Sequence, residues 1–257
     1  MITMKYSIII PAYNEERRIG RTLDDYCSFF STFPRKDVEI IVVLNGCKDN
    51  TLGVVKRYAR AYPFLSYLNI LQAIGKGGAV IEGFKMARGD LVGFADADGA
   101  TRATYFFDLV SHIKGVDGVI ASRWMKAAVV EPPQPLDRKI ASRSFNLLIR
   151  LLFGLRYHDS QCGCKLFRRQ ALRVILPSLG TTRWAFDVDL LYQMKRYGFV
   201  VREVPTVWRD VVGSKINVKK VSLEMLLAII RLRLLYSPLK FVVGTYNRVA
   251  DFLGIKL

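Results

Sequence analysis

Short apolar runs alternate along this chain with segments whose apolar residues recur at helical spacing, a pattern that predicts a mostly parallel sheet flanked by helices. Tyr6 to Ile10 is a strand run rich in β-branched residues, stopped by Pro11, which has no N–H for a ladder. Ala12 to Glu16 then reads as a loop, with Asn14 as N-cap of a helix reaching about Phe33. A second strand, Val38 to Leu44, ends in the turn and cap sequence Asn45 to Thr51 before a helix from Leu52 to Ala61. A shorter strand at Leu68 to Gln72 precedes the glycine-rich Gly75 to Ala79 and a helix to Ala87. Leu91 to Ala95 is the next strand run, and Gly118 to Ala121 another. The α/β class follows. In such sheets, ligands gather beyond the carboxyl ends of the strands.

Two features at that edge carry chemistry. The apolar run before Asp96-Ala97-Asp98-Gly99 ends in two carboxylates one residue apart, which on a strand share a face. Paired carboxylate oxygens suit a hard divalent cation that completes its shell with water and substrate phosphate; a plain turn is the alternative. Gly75-Lys76-Gly77-Gly78 is not a Walker A loop, because Ile70 stands where a glycine is required and Gly77 follows the lysine. It still offers backbone N–H groups and an ammonium to a phosphate at a helix start.

The second half is less regular. Ala127 to Pro135 is too proline-rich for regular structure and long enough to be a mobile acceptor loop. A helix from about Asp137 through Phe153 has more apolar residues than one core face needs, so it is either buried on the sheet or turned shallowly to a membrane. Val221 to Tyr236 is too short, and too interrupted by Glu224, Arg231 and Arg233, to cross a bilayer of about 30 Å. After Pro238, Leu239 to Leu257 is again apolar and basic, with Lys240, Arg248 and Lys256. The expected organisation is a catalytic domain over 1–215 and amphipathic basic helices over 216–257, lying in the headgroup plane. Docking to a partner or to a second copy is the alternative.

Composition narrows the partners. The chain has 257 residues, 51% of them hydrophobic, enough for a substantial core. A net charge of +17 asks for an anionic partner: nucleic acid, phosphorylated substrate or anionic membrane. Cys27, Cys47, Cys162 and Cys164 lack zinc spacing and read as reduced thiols. The N-terminus runs directly into a strand without a signal-peptide pattern, so the active domain is expected in the cytoplasm.

Taken in order, Pro11-Ala12-Tyr13-Asn14-Glu15, Val42 to Asp49, Gly75-Lys76-Gly77, Phe94 to Thr101, Ser122-Arg123, Asp159 to Phe167 and Arg183 to Asp189 resemble inverting family-2 glycosyltransferases of the GT-A fold. Within them the chain is most like dolichyl-phosphate β-glucosyltransferases, and next like dolichyl-phosphate mannose synthases. The resemblance spans about residues 5 to 236 and implies a Rossmann-like fold. One departure concerns the base: the Asp-Asp or Asp-Asn pair usual before Gly46 reads Leu44-Asn45 here, so a carboxylate that commonly contacts the nucleotide is missing.

The resemblance implies that Pro11, Tyr13 and Glu15 hold the nucleoside, with Asn45 sharing that role and Lys76 and Gly77 near the diphosphate. Around Ala97, Asp96 would meet ribose or metal and Asp98 the metal itself, Mg2+ or Mn2+. UDP-glucose is the first expected donor and GDP-mannose the second. The acceptor is dolichyl or polyprenyl phosphate, giving a lipid-linked sugar for protein N-glycosylation or envelope glycans. A monophosphate with second pKa near about 6 is already ionised at neutral pH, so the site needs cations more than a base. Arg123 is the first candidate to grip that phosphate, and Lys215 and Arg209 are the second, with a solvated surface charge as the alternative. Asp187 would orient sugar hydroxyls or an arginine, or else cap a helix, and Gln161 would line the sugar pocket. Relatives generally carry membrane spans. This chain shows none, so it is expected to be peripheral or monotopic at the cytoplasmic face, with a homo-oligomer possible. A sugar-nucleotide pyrophosphorylase would need a glycine-rich loop straight after the first strand, and a nucleic-acid binder a zinc-finger or RNA-recognition signature; neither is present.

Overall fold

The computed structural model of the protein describes residues 5–133, 136–180, 185–209 and 218–252. Its first half runs β1 (Tyr6–Ala12), α1 (Ile19–Phe30), β2 (Val38–Asn45), α2 (Thr51–Ala61), β3 (Leu65–Ile70), α3 (Gly75–Met86), β4 (Leu91–Ala95). Then come α4 (Ala103–Ser111), β5 (Gly118–Ser122), β6 (Val129–Glu131), α5 (Leu136–Phe153) and β7 (Cys164–Arg168). The chain continues with α6 (Arg169–Ile175), α7 (Phe186–Arg196), β8 (Val201–Pro205), β9 (Val207–Arg209), α8 (Val218–Leu235) and α9 (Val243–Phe252).

Seven strands form one sheet in the order β3-β2-β1-β4-β7-β5-β8. Neighbours are parallel except β7, which is antiparallel to both β4 and β5. The inner strands are mostly apolar because they are covered on both faces, with Ser7, Glu39 and Lys165 as buried exceptions. Ile8, Ile10 and Ala12 of β1 enter a core with α1 and α4, while Ile9 enters a second core with α3, α7 and α8. The sheet is thereby held with its carboxyl edge open for ligands.

Four expectations are corrected. β1 continues through Pro11 to Ala12, because pairing to β4 ends at Ile9 and the missing N–H falls where β1 has β2 alone as neighbour. Asn14 does not cap α1. It has φ of +55°, and its Oδ1 accepts from the N–H of Lys48 at 2.7 Å, tying the β1 loop to the β2 loop. β3 lies at 65–70 rather than 68–72: on an edge strand Ser66, Tyr67 and Asn69 face solvent, and Leu71 is 85% exposed beyond its end. Val129–Glu131, expected to be irregular, pairs in parallel with β9 as a two-stranded ribbon above the main sheet's edge.

The C-terminal helices do two things at once. Ala228, Ile229 and Leu232 of α8 are buried in the second core, while Leu223, Leu226 and Ile230 are exposed. On α5, Ile149 and Phe153 are buried while Leu136, Ile140, Leu147 and Leu151 are exposed. Among the described residues no helix is long and apolar enough to cross a membrane.

Candidate active site

β4 ends at Ala95, so Asp96 and Asp98 sit in the turn that follows rather than on the strand. Two anchors fix this turn. The N–H of Asp96 donates to the carbonyl of Gly163 at 3.1 Å, and Ala97 gives its carbonyl to the Thr22 hydroxyl at 2.7 Å. Asp98 closes the turn through Oδ1, which accepts from the N–H of Ala100 at 3.0 Å, and Gly99 has φ of +75°. A Cβ at Gly163 would lie 1.8 Å from Oδ2 of Asp96, so a side chain there would displace that carboxylate.

Lys76 lies in the first turn of α3, with Nζ 2.6 Å from Oδ1 of Asp96. Burial works against its charge, but Asp96, Asp187 and Asp98 hold its pKa above the ordinary lysine value. Burial likewise pushes Asp96 up, with Asp98 and Asp187 adding to it against the pull of Lys76. Three carboxylates thus converge on a place that favours positive charge. Gly77, behind Lys76, is buried in the same turn.

The nucleoside side is built from the ends of β1 and β2. Pro11 is the penultimate residue of β1, and Tyr13 beyond it is 50% exposed, a free aromatic face at the sheet edge. Glu15 donates its N–H to the Thr51 hydroxyl at 2.8 Å and accepts both Nε and Nη2 of Arg18 at 2.7 Å. Burial raises its pKa despite Arg18, and Asp98 and Asp96 add to the rise. Asn45 is buried at the end of β2, and its Oδ1 accepts from the N–H of Ile74 at 2.7 Å, leaving the amide's donors for a ligand. Gly46 has φ of +66°, and a Cβ there would meet the Ala73 backbone at 2.7 Å.

Two of the acceptor-side candidates are committed elsewhere. Asp159 receives Nε of Arg123 at 2.7 Å, Nη2 at 3.0 Å and its backbone N–H at 3.0 Å, so the fork expected to grip a phosphate grips a buried carboxylate. Burial opposes the charge on Asp159, yet Arg123 holds its pKa below the usual carboxylate value. The Arg123 guanidinium lies over Trp208, 5.4 Å from the ring centroid. Asp187, in the first turn of α7, makes no cap; its Oδ1 is paired with Nζ of Lys165. Arg209 hydrogen-bonds through its N–H to the carbonyl of Ala100 at 2.9 Å, and its side chain lines a cavity of about 380 Å³ with Arg18, Arg21, Arg102 and Asp98. Gln161 is half-buried in the loop that leads to Gly163. Lys215, Arg183 and Trp184 lie outside the described residues.

Lys165 was not singled out from the sequence. It is 0% exposed on β7, and Nζ also donates to the carbonyl of Cys162 at 2.6 Å. The ring of Phe94 lies under two ammonium groups, Lys165 at 5.3 Å and Lys76 at 5.7 Å from its centroid. The available cue was a lone lysine in Cys164-Lys165-Leu166-Phe167, a strand too apolar to bury a charge without a partner. Cys162 and Cys164 are packing thiols: burial pushes Cys162 up to about 12 and Cys164 well above its ordinary value.

The family model for glycosyl transferase family 2 matches residues 7–176, which hold β1 to β7 and every carboxylate of the edge except Asp187 and Asp189. The chain belongs to that family. This family-2 glycosyltransferase is 35% identical over 243 residues to a dolichyl-phosphate β-glucosyltransferase of Dictyostelium discoideum, covering 90% of this chain and 74% of that one. It is 36% identical over 224 residues to a second, ALG5A of Trichomonas vaginalis, covering 82% and 68%. The fold is similar to glucosyl-3-phosphoglycerate synthase from Mycobacterium tuberculosis, solved with Mn2+, UDP and glucosyl-3-phosphoglycerate, with a TM-score of 0.64 at 18% identity over 88% of this chain and 79% of that one. The GT-A expectation for the sheet is therefore met, and the pyrophosphorylase and nucleic-acid readings are set aside.

For a metal, the glycosyltransferase offers an incomplete shell. Among the described residues, no three His, Cys, Asp or Glu side chains are arranged to hold an ion. Oδ1 of Asp96 faces Lys76 and Oδ1 of Asp98 faces Ala100, while among the described residues no hydrogen bond uses the other oxygen of either carboxylate. Two hard oxygens, beside a glycine that leaves room for one of them, fit a divalent ion completed by water and diphosphate.

Proposed function

We propose that this enzyme transfers glucose from UDP-glucose to the phosphate of dolichyl or another polyprenyl phosphate, inverting the anomeric carbon. The observation that carries the reading is the acidic turn at the end of β4, with Lys76 on Asp96, in a chain whose relatives are named for dolichyl phosphate. Tyr13, Glu15 and Asn45 bind the nucleoside and Lys76 the diphosphate. Asp96 and Asp98 would hold Mg2+ or Mn2+, which supplies charge neutralisation to the departing diphosphate. The acceptor monophosphate is already anionic, so Arg209, Lys215 and the remaining donor of Arg123 orient it and no base is required. Asp187 and Gln161 face the sugar. GDP-mannose is the second donor to test, because Asn45 offers only amide donors to a base carbonyl, which uracil and guanine both possess.

The enzyme acts as a peripheral protein at the cytoplasmic face of the membrane. The exposed leucines of α5 and α8, with Phe241 at 76% exposure and a net charge of +17, support contact with an anionic lipid surface. The C-terminal segment 216–257 supplies most of that contact. A second copy of the chain on the same face is the competing occupant.

Labelled UDP-glucose, GDP-mannose and UDP-GlcNAc, offered in turn with dolichyl phosphate and Mn2+, test the assignment. Label from UDP-glucose is expected in the lipid phase. Transfer to a soluble sugar with none to lipid would overturn it. Asp98→Ala is expected to lower turnover by at least about a hundredfold, since one side chain then fails to stabilise the leaving group. Near-normal turnover would move the metal elsewhere.

A further inference from the structure

Among the described residues Lys165 is the only lysine in the set of largest fully buried side chains, and none of the roles assigned above uses it. An ammonium without exposure is costly to bury, and a hydrophobic residue of similar length often serves stability as well or better. The pair it makes is therefore poorly explained as a prop for the fold.

Its surroundings point to the site instead. Nζ has two oxygen partners, Oδ1 of Asp187 and the carbonyl of Cys162, and rests on the face of Phe94. These come from three elements: the first turn of α7, the loop before β7 and the middle of β4. Asp187 keeps 10% of its side-chain surface open, and only Oδ1 is held by the lysine. Near the same ring, Lys76 holds Oδ1 of Asp96. The two ion pairs leave one oxygen of each carboxylate outside them.

Resting on the glucosyl-transfer reading, we propose that Lys165 is a positioning residue for the reaction: it clamps one oxygen of Asp187 so that the other faces the sugar at a fixed place beside Asp96. A carboxylate on a first helical turn has rotamers to choose from, and the buried ammonium selects one. Lys165 touches no substrate; it acts through Asp187.

The test compares the full-length variants Asp187→Asn and Lys165→Met/Asp187→Asn, with the single Lys165→Met alongside. If Lys165 acts only through Asp187, the double variant has the same kcat as Asp187→Asn, within about twofold, because residues working as a unit are not additive. Lys165→Met alone is expected to lose at least tenfold in kcat with the donor KM within about threefold, while UDP binding by calorimetry is unchanged. A kcat for the double variant more than tenfold below that of Asp187→Asn, or a Lys165→Met kcat within twofold of the parent, would overturn the proposal. Should Lys165→Met fail to fold by thermal unfolding, the comparison of Asp187→Asn with the double variant, in which no buried charge is left alone, decides it. The assays use whichever acceptor the parent enzyme accepts, so failure of the lipid-phosphate reading is seen in the parent and failure of the Lys165 role only in the variants.

Discussion

At the carboxyl edge of the sheet the protein encloses charge: Lys165 is 0% exposed, Asp187 7% and Asp159 2%. Along α5 and the segment after α8 it displays hydrocarbon: Leu151 is 75% exposed and Phe241 76%. A monomeric soluble protein ordinarily does the reverse in both places. The contrast teaches that the two regions have different solvents in view. In the function proposed above, the inner one keeps its ion pairs dry enough to orient a sugar nucleotide and the outer one meets the apolar boundary where a lipid phosphate resides.

The sharpest way to break the first half of that contrast is to remove one member of an enclosed pair. Arg123→Ala leaves Asp159 buried without its ion-pair partner, held only by the backbone N–H of residue 123, a change expected to cost about 3–5 kcal/mol of stability and visible as a lower Tm. If the Tm is unchanged and only the acceptor KM rises, Arg123 is a phosphate ligand after all, held by Asp159 only until substrate arrives.

A smaller effect attaches to Asp189, two residues beyond Asp187. Its Oδ1 accepts from the Tyr236 hydroxyl at 2.6 Å and its Oδ2 from the N–H of Gly180 at 2.8 Å, so α8 is latched to α7. Burial raises this carboxyl from 3.8 to about 6 in spite of those donors. The folded state therefore holds the proton more tightly than the unfolded one. The stability this provides is complete below about pH 4 and is lost as pH rises through about 6, by about 3 kcal/mol in all. Denaturant unfolding of the parent and of Asp189→Asn between pH 4 and 7 should differ in slope over that window; parallel curves would show that Asp189 does not titrate there.

The mildest change sharpens the outer half. Leu151→Glu/Phe241→Glu removes two exposed apolar side chains that the core does not use. Fully burying one such side chain contributes about 1.5–3 kcal/mol, so losing two partly buried ones should lower flotation of the intact variant with anionic liposomes by about tenfold. Unchanged flotation, with a monomer appearing where the parent is a dimer, would assign the face to a second copy of the chain.

The runs of β1, β2 and β4 and the neighbourhood of Asp96, Asp98 and Lys76 were legible because apolar runs ending in glycine and carboxylate have few other uses, although β3 begins three residues earlier than expected and the two carboxylates fall in the turn beyond the strand. What the sequence did not disclose lies in pairings between distant segments. Arg123 and Asp159 are 36 residues apart, and Lys165 and Asp187 are 22 apart, so no local spacing marks them as partners. Asn14 misled for a related reason. Its cap-like setting is real, but the loop it serves is the neighbouring one, at Lys48. Val129–Glu131 was hidden because a three-residue strand depends on its partner, Val207–Arg209, more than on its own propensity.

The antiparallel course of β7 has an effect on how the enzyme comes into being. Leu91–Ala95 waits on the ribosome as an unprotected sheet margin until Cys164–Arg168 has been synthesised and slides between it and β5. The half from β1 to β4 is thus assembled early from contacts close in sequence, and the seam that brings Lys165 against Phe94 closes late.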